Sequence, residues 1–62
     1  MHIRIDLDTE NAAFEGAPEQ ETARILRHLA DRLERAGGLE ADEMKLRDHN
    51  GNAVGRCIIE EE

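Results

Sequence analysis

Met44-Lys45-Leu46-Arg47-Asp48-His49-Asn50-Gly51-Asn52-Ala53-Val54 sets an Asn-Gly pair between two segments in which apolar and polar residues alternate. Asn-Gly in that setting is the strongest short-range hairpin signal, because both central residues of a type I′ turn need positive φ. Met44 to Asp48 therefore reads as one strand and Ala53 to Glu60 as the next. A two-residue turn at Asn50-Gly51 would set Leu46 opposite Gly55, whereas a three-residue loop with a bulge would set it opposite Val54.

Upstream, His2-Ile3-Arg4-Ile5-Asp6-Leu7-Asp8 alternates cleanly, with Ile3, Ile5 and Leu7 on one face and His2, Arg4, Asp6 and Asp8 on the other, the period of a half-buried strand. Thr9 to Ala17 is acidic and small in side chain and reads as a loop anchored by Phe14, the one aromatic. Pro18 suits the first turn of a helix, where its missing N–H costs nothing, and Glu19 and Glu21 then lie at the positive end of the dipole. Ile25, Leu26, Leu29, Leu33 and Ala36 recur at spacings of three and four, an apolar stripe expected to face a sheet. Gly37-Gly38 closes the helix, since glycine accepts the left-handed conformation of a C-terminal cap. The acidic connector Glu40 to Glu43 leads back to the hairpin.

These elements predict one α+β domain over residues 1–62 in the order β-α-β-β, a three-stranded sheet with one helix packed on one face. The last strand carries apolar residues on both parities, with Val54 and Ile58 on one and Ala53, Cys57 and Ile59 on the other. One helix covers one face of three strands. An apolar patch around Val54 and Ile58 is thus expected on the uncovered face, as the interface of a homodimer formed there or at a sheet edge.

Sixty-two residues with 39% apolar content and no Trp or Tyr make a thin core, because a chain this short buries only about 60% of its unfolded surface. The lone Cys57 excludes an internal disulfide and, with no export signal, fits a reducing cytoplasm. No run of apolar residues is long enough for a membrane span. The net charge of −7 argues against nucleic acid, whose phosphates are bound by cations, and favours a partner with a basic surface.

Residues with chemical potential are few. His2, His49, Asp48 and Cys57 are the only candidates a sheet could gather around a metal, and no pair has a recognised ligand spacing. No metal or cofactor is expected. Cys57 with His2 or His49 is too weak a pairing for nucleophilic catalysis, as a domain with one helix lacks the walls of a substrate pocket. Gly51 and Gly55 lead into no helix and so form no phosphate cradle. The acidic residues have more reach: Asp6, Asp8, Glu10, Glu15, Glu40, Asp42 and Glu43 are the candidate partner-binding set, in rows able to mimic spaced phosphates. A minor alternative uses Arg24, Arg27, Arg32 and Arg35 as a basic stripe for nucleic acid or an acidic partner, diluted by Asp31 and Glu34.

At Asp6 to Phe14 (D-L-D-T-E-N-A-A-F), Ile25 to Leu33 (I-L-R-H-L-A-D-R-L) and Leu46 to Gly55 (L-R-D-H-N-G-N-A-V-G) the chain resembles small acidic proteins of phages and prophages. That resemblance implies a setting: a non-enzymatic inhibitor of a host defence complex in the bacterial cytoplasm, of the kind that includes anti-CRISPR proteins. The alternative is a homodimeric assembly module.

Overall fold

The computed structural model describes residues 1–61. In chain order it contains β1 (His2–Leu7), a 3-10 turn (Ala12–Phe14), α1 (Pro18–Ala36), β2 (Asp42–Arg47) and β3 (Ala53–Glu60). The strands form one antiparallel sheet in the order β1-β3-β2 with α1 on one face, the α+β arrangement read from the sequence. Pro18 opens α1 with Glu19 and Glu21 in the first turn, and Gly37 ends it at φ 74°, its N–H donating to the carbonyl of Glu34 at 3.3 Å.

Phe14, Ile25, Leu29, Leu46, Val54, Cys57 and Ile59 make up the buried cluster, with Leu7, Ala13, Leu33 and Met44 packed against it. Each large aliphatic side chain buried there contributes roughly 1.5–3 kcal/mol. Phe14 plugs the cluster from beneath the acidic loop, where Asn11 caps the 3-10 turn by accepting the Ala13 N–H at 2.9 Å.

The hairpin combines features of both registers considered above. The Gly51 N–H donates to the Asp48 carbonyl at 3.0 Å and the Asp48 N–H to the Asn52 carbonyl at 2.9 Å, so His49, Asn50 and Gly51 form a three-residue loop. Among the described residues only glycines have positive φ, Gly51 at 87°, and the type I′ turn expected from Asn-Gly is therefore not formed. One position along, Arg47 pairs with Ala53 but Leu46 pairs with Gly55. Val54 is the extra residue of a bulge that resets the register.

That bulge corrects the expectation for Val54, which is only 8% exposed and belongs to the core. The expected partner, Ile58, is half-buried on the uncovered face. By strand alternation that face carries His2, Arg4 and Asp6 of β1, Arg56, Ile58 and Glu60 of β3, and Glu43 and Lys45 of β2. It is a charged surface with one isoleucine, laced by Arg4–Asp6 at 3.6 Å and Arg56–Glu43 at 3.8 Å.

Exposed apolar surface lies instead on the helix side of β1. Ile3 is 42% exposed, Ile5 44% and Leu26 40%, although Ile3 and Leu26 belong to stripes expected to be covered. The cause is the placement of α1 toward β2. Arg32 donates through Nη1 to the carbonyl of Lys45 at 2.9 Å, and Arg24 through Nη2 to that of Arg47 at 3.3 Å, so helix arginines occupy carbonyls on the outer edge of β2. Leu26 sits about 200° around the helix axis from Arg24, on the flank toward β1.

Close approach of β1 and β3 depends on Gly55. A Cβ there would collide with the backbone carbonyl of Asp6.

Candidate functional site

Two carboxylates that the sequence shows among many exposed ones are buried. Glu21 is 8% exposed and Asp48 4%. Buried carboxylates are tolerated only when their oxygens are hydrogen-bonded, and here each is fully engaged. Glu21 accepts Nε of Arg24 at 2.7 Å through Oε1, Nη2 of Arg24 at 2.9 Å through Oε2, and the backbone N–H of His49 at 2.8 Å through Oε2. Asp48 accepts the backbone N–H groups of Asn50 at 2.8 Å and Asn52 at 3.0 Å through Oδ1. Its Oδ2 takes the side-chain amides of Asn11 at 2.8 Å and Asn52 at 3.4 Å.

The two clusters meet at the hairpin tip and join three parts of the chain: the acidic loop through Asn11, the first two turns of α1 through Glu21 and Arg24, and the loop His49–Gly51. The Arg24 guanidinium holds Glu21 below its ordinary pKa against the opposing effect of burial, and Glu21 raises Arg24 in return. For Asp48 burial pushes upward, but the hydrogen bonds from Asn52, Asn11 and Asn50 outweigh it and the net direction is down. Both carboxylates are thus held ionised. Among the described residues no buried side-chain polar atom lacks a partner.

The sequence held signals for this cluster that composition obscured. Glu21 and Arg24 have the spacing of a helical ion pair, and Asp is favoured at the first position of a β-turn because its carboxylate bonds the backbone two residues on. Asp48, weighed with His2, His49 and Cys57 for a metal and not assigned one, is a residue of the hairpin turn. Its oxygens are committed to the hairpin, and among the described residues no group of three or more His, Cys, Asp or Glu is arranged to hold a metal ion. Cys57 is fully buried, and burial raises its thiol pKa while the charge of Arg32 acts in the other direction.

The seven predicted partner-binding carboxylates are all exposed but form two groups. Asp8, Glu10 and Glu15 lie at the hairpin end of the sheet, around the loop anchored by Asn11 and Phe14. Asp42 pairs with Ile59, itself opposite Ile3, so Glu40, Asp42 and Glu43 lie at the far end, roughly 15–17 Å along the strands. Asp6 sits between them, directly opposite Arg56 and ion-paired with Arg4. A single phosphate-like row is not present. In the basic stripe, Arg24 and Arg32 are engaged in holding the sheet, leaving Arg27 and Arg35 exposed.

At the hairpin end the loop is anchored through Asn11 and Phe14 while its acids are exposed. The Asp8 carboxylate accepts the Glu10 N–H at 3.0 Å, and among the described residues none of Asp8, Glu10, Glu15 and Glu19 is in an ion pair. No described helix is long and apolar enough to cross a membrane. No family model matches the chain, no curated protein matches it, and no solved structure matches it.

Proposed function

We propose that this protein is a non-enzymatic binding module that attaches to a basic surface of a partner protein through the carboxylates of its hairpin end, Asp8, Glu10 and Glu15. One observation carries the reading: the loop bearing these acids is pinned through Asn11 to Asp48 and through Phe14 to the core, while the acids themselves are exposed and, among the described residues, in no ion pair. A preorganised loop loses little conformational entropy on binding, so its charges act at full effect. The buried carboxylates and Cys57 serve the fold, which leaves the exterior as the working part. The setting that the resemblance implies, a phage or mobile-element protein that occupies and blocks a host defence complex in the bacterial cytoplasm, is the biological form of this proposal.

The test is capture of a partner from bacterial host lysate by the tagged protein, compared with a Glu10→Lys/Glu15→Lys variant. Capture should fall at least about tenfold in the variant and between low and high salt, as expected for an electrostatic contact. Capture indifferent to both changes overturns the reading.

A further inference from the structure

From the free edge of β1 we infer that two copies of this chain pair antiparallel, β1 against β1, about a two-fold axis at Ile5, giving a six-stranded sheet. The two edges of the sheet differ. On β2 the outward carbonyls of Lys45 and Arg47 already accept bonds from Arg32 and Arg24. On β1 the outward groups are identified by the ladder: the Asp8 N–H donates to Val54 of β3 at 2.8 Å, and alternation then turns the N–H and C=O of Leu7, Ile5 and Ile3 away from β3. An edge presenting such groups is a template for another strand.

Charge selects both the occupant and the register. Pairing about Ile5 sets Ile5 opposite Ile5, Ile3 opposite Leu7, Arg4 opposite Asp6 and His2 opposite Asp8, each unlike pair occurring twice by symmetry. The residues whose backbone groups point outward then meet one another, as the ladder requires. The Arg4–Asp6 pairs fall at the non-hydrogen-bonded positions, where facing side chains are closest. Moving the axis one residue either way sets Arg4 opposite Arg4 or Asp6 opposite Asp6. Moving it two residues sets His2 opposite Arg4 or Asp6 opposite Asp8. The strand is thus complementary to itself in one register, the requirement for a two-fold interface. On the helix side the same pairing brings together Ile3, Ile5 and Leu26 of both copies, the exposed apolar residues of that flank.

The experiment is sedimentation equilibrium of the purified full chain with two charge variants, Arg4→Asp and Asp6→Arg, whose folding is checked by circular dichroism. The wild type should have twice the 7.0 kDa chain mass. Each variant alone sets like charges opposite each other twice and should dimerise at least about tenfold more weakly. Mixed, the two variants should form a heterodimer, because opposite charges then meet at both contacts. The substituted position of the Arg4→Asp copy faces the substituted position of the Asp6→Arg copy, and the unchanged Asp6 of the first faces the unchanged Arg4 of the second. That rescue also shows that both variants fold. A wild type that stays monomeric at millimolar concentration, which would leave the edge to a strand of a different protein, overturns the inference. So does a dimer unaffected by either substitution, or variants that remain monomeric when mixed.

Discussion

Glu21 accepts the backbone N–H of His49 at 2.8 Å, across 28 residues of chain, and so fastens the first turn of α1 to the hairpin tip. The same carboxylate holds Arg24, which reaches on to the carbonyl of Arg47. One acidic side chain therefore sets the helix against the edge of β2. Glu21→Ala should lower Tm by several degrees, because it removes the carboxylate that accepts the His49 N–H and two bonds from the Arg24 guanidinium. Glu19→Ala, in the same turn but exposed, should change it little. Equal Tm values for the two variants in thermal melts followed by circular dichroism would remove the fastening role.

Acid should weaken the fold through Glu21 and Asp48. Both have folded pKa values below their ordinary ones, so in the window between folded and unfolded values the unfolded chain binds more protons and stability rises with pH. The contribution is fully present above the ordinary carboxylate pKa of about 4 and is lost as pH falls through the lower folded values. Urea midpoints measured from about pH 6 down to about pH 2.5 should be level near neutrality and decline below about pH 4. An Asp48→Asn variant should start lower and decline less; identical slopes for variant and wild type would contradict the assignment.

Gly55→Ala should cost about 2–3 kcal/mol, the upper part of the range for overpacking, because its Cβ would meet the backbone carbonyl of Asp6 and a strand must move. Gly38→Ala has open space around its Cβ and ordinary φ, so it serves as the tolerated control. Denaturation by urea distinguishes them, and a Gly55→Ala chain as stable as the control would show that β1 and β3 are not so closely apposed.

Cys57 should react with thiol reagents only when the domain opens, since burial both hides it and keeps it protonated. Labelling should be slow in buffer and should accelerate on addition of denaturant. Cys57→Ser should destabilise by about 1–3 kcal/mol, the cost of a buried hydroxyl without a full set of partners. Rapid labelling of the folded protein would mean that the centre of the sheet is accessible.

The β-α-β-β order was legible because alternation in His2 to Asp8 and the three-four spacing from Ile25 to Leu33 are local patterns. The helix start at Pro18 and its end at Gly37 were legible for the same reason. The position of Val54 was not, because a bulge arises from the mismatch between a three-residue loop and the pairing of the strands beyond it. Exposure of Ile3 and Ile5 also depends on a distant event, the sideways placement of α1 by Arg24 and Arg32. Glu21, read as an acid at the positive end of the helix dipole, and Asp48, weighed for a metal, gave no sign of burial, since burial of a charge depends on partners separated from it by up to 37 residues. Exposure of the candidate acids could be read from their polar segments; their division into two groups follows from the hairpin and the antiparallel ladder.

The arginine contacts along β2 have an architectural outcome. In the proposed pair a second molecule takes up the open margin of β1 and leaves outward the β2 margins, where the Lys45 and Arg47 carbonyls are already engaged. Concentrated solutions of the protein should accordingly contain a closed pair in place of fibrils. Arg32→Ala, which bares the Lys45 carbonyl and leaves the Glu21–Arg24 pair intact, should let such pairs associate further, seen as mass beyond the dimer by light scattering.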